Sequence, residues 1–192
     1  MYNWIERKLV FPIYFRYLIW HSSFKKRYWA YRYKQLYNVH SSVVFGKYTE
    51  IQFESNRAKL EIAEKVEFRK YCHLLLHMNG NLKIGKGVFF NNYCSISCLG
   101  KIEIGENTII GEAVRIYDHN HKYHYLDGKL NVEKECFTIG TITIGKNCWI
   151  GSNVTILNNV EIGDNVIIGA GCIIYKSVAS NSIVKSKVEL VT

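Results

Sequence analysis

Residues 144–178 read Ile144-Gly145-Lys146-Asn147-Cys148-Trp149, Ile150-Gly151-Ser152-Asn153-Val154-Thr155, Ile156-Leu157-Asn158-Asn159-Val160-Glu161, Ile162-Gly163-Asp164-Asn165-Val166-Ile167, Ile168-Gly169-Ala170-Gly171-Cys172-Ile173 and Ile174-Tyr175-Lys176-Ser177-Val178. Every sixth residue from Ile144 to Ile174 is isoleucine. Gly145, Gly151, Gly163 and Gly169 follow four of them. Four residues after each isoleucine comes Cys148, Val154, Val160, Val166, Cys172 or Val178. A period of six cannot be a helix face, because 3.6 residues per turn would scatter the isoleucines around the cylinder. It fits a coil with flat sides, each unit forming one side of a triangle and stacking its aliphatic residue on its equivalent one coil above. The glycines are expected at the corners, where a side chain would crowd the turn or force an unfavourable φ.

Working outward, earlier copies of the pattern are recognisable. Leu60-Glu61-Ile62-Ala63 matches Leu82-Lys83-Ile84-Gly85, and Tyr71-Cys72 matches Tyr93-Cys94. Ile102-Glu103-Ile104-Gly105 is a third copy. The register continues through Ile110 and Ile116, then stops until Ile142. The fold expected is therefore an all-β solenoid, a left-handed parallel β-helix over 41–178, broken by one long loop over 117–141. A basic, aromatic-rich helical segment (1–40) precedes it and a short tail (179–192) follows.

The chain has 192 residues and a net charge of +9. Arg7, Lys8, Arg16, Lys25, Lys26, Arg27, Arg32 and Lys34 against Glu6 alone concentrate that charge before Tyr37, among many Trp, Tyr and Phe. Two helices split near His21-Ser22-Ser23 are expected, with Ser22 or Ser23 capping the second. Two roles stay open for residues 1–37: peripheral contact with a membrane surface, or a cap over the open end of the solenoid. No nucleic-acid motif accompanies the basic cluster, so nucleic acid is not an expected partner. The apolar run from Leu9 to Trp20 is broken by Pro12 and Arg16, no cleavage site follows it, and no window is long and apolar enough to span a membrane. Cys94, Cys148 and Cys172 fall at inward repeat positions, and Cys72, Cys98 and Cys136 show no CxxC or metal-ligand spacing. A reduced, cytoplasmic setting is expected, at the inner face of the membrane if the N-terminal segment docks there.

The loop 117–141 opens with Tyr117-Asp118-His119-Asn120-His121 and continues to His124. Near neutrality an imidazole can take a proton from a hydroxyl and return one to a leaving group. Asp118 could fix the imidazole tautomer. A long excursion from a compact scaffold is usually functional.

Tyr117-Asp118-His119-Asn120-His121, with Ile144-Gly145-Lys146-Asn147-Cys148-Trp149-Ile150-Gly151-Ser152-Asn153-Val154 and Ile168-Gly169-Ala170-Gly171-Cys172, resembles the hexapeptide-repeat acyltransferases, nearest the maltose, galactoside and capsular-polysaccharide O-acetyltransferases. The resemblance covers about residues 60 to 178. It implies a homotrimer, acetyl-CoA as cosubstrate in a cleft between subunits, and a saccharide acceptor, with no metal in the chemistry. It places the base on His121, with His119 as the alternative because Lys122 stands where relatives often have proline. It assigns coenzyme A contacts to Trp149, Ser152, Ala170, Tyr175 and Lys176, and acceptor contacts to Asn92 and Tyr93. Tyr175 departs from the usual small hydroxyl residue. The end of the chain also departs from the family, leaving Lys185 or Lys187 for the cofactor phosphates. Three other functions compete. One is a small-molecule acetyltransferase for serine, an antibiotic or an amino sugar; another is a non-catalytic scaffold. The third is a metal enzyme of the γ-carbonic-anhydrase kind, which would use His119 and His124 but would need a third histidine near Ile84.

Overall fold

The computed structural model describes residues 11–186, with side chains from Trp20 onward. Glu6, Arg7, Lys8, Leu9 and Lys187, named above, lie outside the described residues. A single helix, α1 (Phe11–Tyr33), precedes a column of short parallel strands. The strands form three sheets, one for each side of a triangular coil. The first side begins at Tyr37–Val39 and climbs through Lys59–Ile62, Asn81–Ile84, Lys101–Ile104 and Thr141–Ile144 to Val160–Ile162. The second runs from Val44–Phe45 to Ile183–Val184, and the third from Glu50–Phe53 to Ile173–Ile174. This is the β-helix architecture expected from the repeat. Leu60 sits opposite Leu82 and Leu82 opposite Ile102, as the sequence matches require.

The coil is longer at both ends than 41–178. Tyr37 already pairs with Leu60. Ile183 and Val184, placed in the tail by the sequence reading, pair with Ile167 and Ile168. A strand edge left open at Ile167–Ile168 would expose unpaired backbone groups, and the added strand covers it.

Along the coil strands between the two ends, alternate residues point inward and are buried. On the second side the inward column is Phe45, Phe68, Phe90, Ile110, Ile150 and Ile168, each 1% exposed or less. The three phenylalanine rings stack at centroid separations of 5.1 and 4.5 Å. The end of this column is closed by α1. Trp29, buried, sets its ring edge-on against Phe45 at 5.0 Å. Lys25 Nζ donates to the Thr49 carbonyl at 2.7 Å and Lys26 Nζ to the Val43 carbonyl at 2.9 Å. The helix therefore caps the solenoid. It is also continuous where two helices were expected, because Ser22 does not act as an N-cap. Its hydroxyl is buried against the first coil, accepting from the Phe45 amide at 2.8 Å.

Of the two causes expected for the repeat glycines, crowding holds and an unfavourable φ does not. Positive φ at the corners falls two residues later, on Asn147 (54°), Asn153 (58°) and Asn165 (57°), not on Gly145, Gly151 or Gly163. Those glycines are required by closeness to the next coil. A Cβ on Gly145 would lie 2.5 Å from the Gly163 carbonyl, and one on Gly151 2.6 Å from the Ala170 amide nitrogen. Asparagine tolerates the left-handed turn, so the tight corner is shared between two residue types.

Candidate active site

The excursion at 117–141 is an antiparallel hairpin, His119–Leu126 paired with Lys129–Ile139, projecting from the corner between the third and first sides. Asp127 (φ 50°) and Gly128 (φ 73°) make its turn. An Asp-Gly pair between alternating residues is a strong hairpin signal, and it was present in the sequence.

The hairpin is rooted by Asp118. Its carboxylate is fully buried and accepts from the Leu99 amide at 2.9 Å and the Gly100 amide at 2.8 Å. The Gly140 amide donates to the Asp118 carbonyl at 2.7 Å, closing the base. Asp118 Oδ1 also lies 3.3 Å from His119 Nδ1, so the carboxylate faces His119 and not His121. The phenyl ring of Phe137 sits between the two histidines, at centroid distances of 5.3 Å from His119 and 4.8 Å from His121. His121 Nδ1 lies 3.3 Å from the Glu133 carbonyl oxygen. A carbonyl only accepts, so in the neutral ring that contact places the proton on Nδ1 and leaves Nε2 with its lone pair. Asn120 donates to Asn158 at 3.0 Å, tying the hairpin to a later coil. No repeat or motif marks Phe137 and Glu133 in the sequence, and Asn158 reads there only as a repeat position.

Burial, and after it Asp118, pushes the Cys98 thiol well above its ordinary range. That thiol beside the root is no nucleophile near neutrality. His124 contacts Glu133 Oε1 at 3.2 Å. Among the described residues no group of three His, Cys, Asp or Glu side chains could hold a metal ion.

The other candidates divide between two corners. Trp149, Ser152 and Ala170 line one cleft of about 320 Å³, together with Gly169, Ile183 and Lys185. The cleft lies on the second side and the corner that follows it, and it contains no histidine. Asn92 and Tyr93 belong to the same corner, two coils nearer the helix. The Asn92 side chain accepts from the Lys70 amide at 3.2 Å, and the Tyr93 ring stacks on Tyr71 at 5.0 Å. Both therefore serve the turn. Tyr175 and Lys176 are not in the cleft. Ile116, Ile156 and Ile174 share one column, so Tyr175 and Lys176 stand at the corner from which the hairpin leaves. A larger concavity of about 660 Å³ follows the first side, along Glu61, Lys83 and Glu103, and holds none of the candidate catalytic groups.

Residues 141–176 match the family described as bacterial transferase hexapeptide (six repeats). The fold is similar to that of the polySia specific acetyltransferase NeuO, at 18% identity over 72% of this chain and 62% of that one, with a TM-score of 0.61. The chain thus spans less than two thirds of NeuO. A variant of AntD, an N-acyltransferase from Bacillus cereus in complex with dTDP-4-amino-4,6-dideoxyglucose and coenzyme A, is 19% identical over 76% of this chain and 77% of that one, with a TM-score of 0.54. A hexapeptide-repeat acetyltransferase from Vibrio cholerae O1 biovar eltor, complexed with acetyl coenzyme A, is 19% identical over 88% and 80%, with a TM-score of 0.50. At such identities the likeness is one of fold. The chain carries the hexapeptide repeat of bacterial transferases.

Proposed function

We propose that this chain is an acetyl-CoA-dependent O-acetyltransferase acting on a sugar hydroxyl of a surface polysaccharide or its precursor, working as a homotrimer. The observation that carries the reading is the His121 imidazole, whose Nδ1 faces a carbonyl, so that in the neutral ring Nε2 holds the lone pair, on an exposed arm. In the reaction proposed, Nε2 takes the proton of the acceptor hydroxyl as its oxygen attacks the thioester carbonyl carbon. The C–S bond then breaks and the imidazolium returns the proton to the departing sulfur, giving the acetyl ester and free coenzyme A. No group on the chain is acylated. His119, packed on Asp118 and Phe137, positions the arm.

The split between corners supports the oligomer. The hairpin, Tyr175 and Lys176 stand at one corner, while Trp149, Ser152, Ala170 and Lys185 line the cleft at another. One copy of the chain does not bring them together. A neighbouring copy whose cleft faces the hairpin does, with Trp149 beside the acyl chain and Lys185 toward the phosphates.

The test is coenzyme A release from acetyl-CoA over a panel of sugars, amino sugars and oligosaccharides, comparing wild type with His121→Ala and His119→Ala. Loss of about 10² to 10⁴ in acceptor-dependent rate for His121→Ala is expected. Full activity of His121→Ala would remove it as the base. Transfer only to amino nitrogens would replace the hydroxyl acceptor, and absence of acetyl-CoA binding by calorimetry would overturn the enzyme reading.

A further inference from the structure

The two faces of α1 are opposite in kind. Ser22 and Trp29 are buried against the first coil, and Lys25 and Lys26 reach its carbonyls. On the other side Trp20, Phe24, Tyr28 and Tyr31 are 67%, 68%, 56% and 78% exposed. At 3.6 residues per turn these four positions fall within a sector of roughly 80°. They form one continuous aromatic stripe pointing away from the solenoid. It is flanked by the exposed Arg27 and Arg32.

A stripe of this size on a soluble surface marks an interaction face, and charge selects its occupant. From Phe11 to Tyr33 there is no Asp or Glu, while Arg16, Lys25, Lys26, Arg27 and Arg32 are all basic. A second copy of the same helix would set like charges against each other, which disfavours self-association through this face. Tryptophan and tyrosine favour the headgroup layer of a bilayer, where the ring is partly buried and the polar edge stays wet. Arginines beside them meet lipid phosphates.

We propose that the exposed face of α1 is a docking surface for anionic phospholipid, on which the helix lies flat while its inner face holds the solenoid. The protein then stands on the membrane by its N-terminal end. This inference does not depend on the chemistry assigned to His121.

The test uses the full chain. It is sedimented with vesicles of phosphatidylcholine alone and with vesicles of phosphatidylcholine plus phosphatidylglycerol, at about 0.1 M salt so that surface charges are moderately screened. Wild type is expected in the pellet only with the anionic vesicles. Trp20→Ser with Phe24→Ser should lower the bound fraction by about tenfold or more, and Arg27→Glu with Arg32→Glu should remove the preference for anionic lipid. Circular dichroism checks the fold of each variant, and Tyr31→Ser alone supplies a milder one. The proposal is overturned if wild type stays in the supernatant with anionic vesicles, or if all folded variants bind as wild type does. It is equally overturned if crosslinking at the stripe captures a protein partner while vesicles capture nothing. Acetyl transfer to a soluble sugar, measured in parallel, should be unchanged in these variants, so loss of lipid binding and loss of activity are separate outcomes.

Discussion

Replacing Asp118 by alanine tests whether the histidine arm is held by its root. The carboxylate accepts from two backbone amides, Leu99 at 2.9 Å and Gly100 at 2.8 Å, and Leu99 is buried. Alanine leaves both donors without an acceptor. An orphaned buried donor costs about 1–3 kcal/mol, so the pair should cost about 2–5 kcal/mol, less where water reaches Gly100. Water has little room there, since even a Cβ on Gly100 would meet Ile139 Cγ2 at 2.5 Å and the Gly140 carbonyl at 2.7 Å. The same energy, read as local opening, is a loss of amide protection at Leu99 and Gly100 of roughly thirtyfold to a few thousandfold. Urea unfolding and native-state hydrogen exchange measure the two quantities. His119→Ala is the control, because it removes the 3.3 Å contact with Asp118 and the packing on Phe137 but leaves both amides satisfied and protected; its expected cost is about 1–2 kcal/mol. If Asp118→Ala unfolds within about 0.5 kcal/mol of wild type and both amides stay protected, the rooting argument is wrong. Turnover then reads the consequence: a loosened root should lower kcat even though Asp118 lies 3.3 Å from His119 and makes no contact with His121.

Trp29→Ala removes the plug on the phenylalanine column, and should cost about 3–5 kcal/mol in chemical unfolding, with the largest loss of exchange protection in the first coil. Gly145→Ala should cost about 1–3 kcal/mol through its contact with the Gly163 carbonyl, whereas Asn147→Gly should be close to neutral in thermal unfolding because φ there is already positive. In thiol labelling of the native protein, only Cys136 should be accessible to the reagent, since the other five cysteines are buried. Its thiol is pushed up chiefly by a hydrogen bond with Glu133. Labelling should therefore be slow near neutrality, rise as pH climbs past the ordinary thiol range, and accelerate in Glu133→Gln. A rate insensitive to that substitution would sink the assignment.

The isoleucine register made the solenoid legible, because inward stacking demands an apolar residue at the same place in every coil. Ile142 and Ile144 resume the register left at Ile102 and Ile104, and the structure pairs them directly. The first coils were harder to read, since their inward column is Phe45, Phe68 and Phe90, which share bulk but no hexapeptide signature. The hairpin was taken for a loop although Asp127-Gly128 signalled its turn; polar residues on both faces hid the strand alternation. A repeated glycine can mark either a clearance or a φ requirement, and only the neighbouring coil shows that here it is clearance. His119, His121, Trp149, Ser152 and Ala170 could be named from sequence as candidates. Their separation onto two corners could not, because only the pairing of Ile102 with Ile142 shows on which side the coil resumes after the hairpin.

The helix at one end of the coil also gives the molecule a direction. Rotation about an n-fold axis leaves height along that axis unchanged, so every copy in a ring presents its α1 at the same level. A ring that can rest one helix on a plane normal to its axis can rest them all. Each further foot then binds as an intramolecular event, and affinity can rise by about 10² to 10⁴ over a single contact. Assembly would thus act as the switch between passing encounter and residence at a surface, without a single residue changing its environment inside the coil.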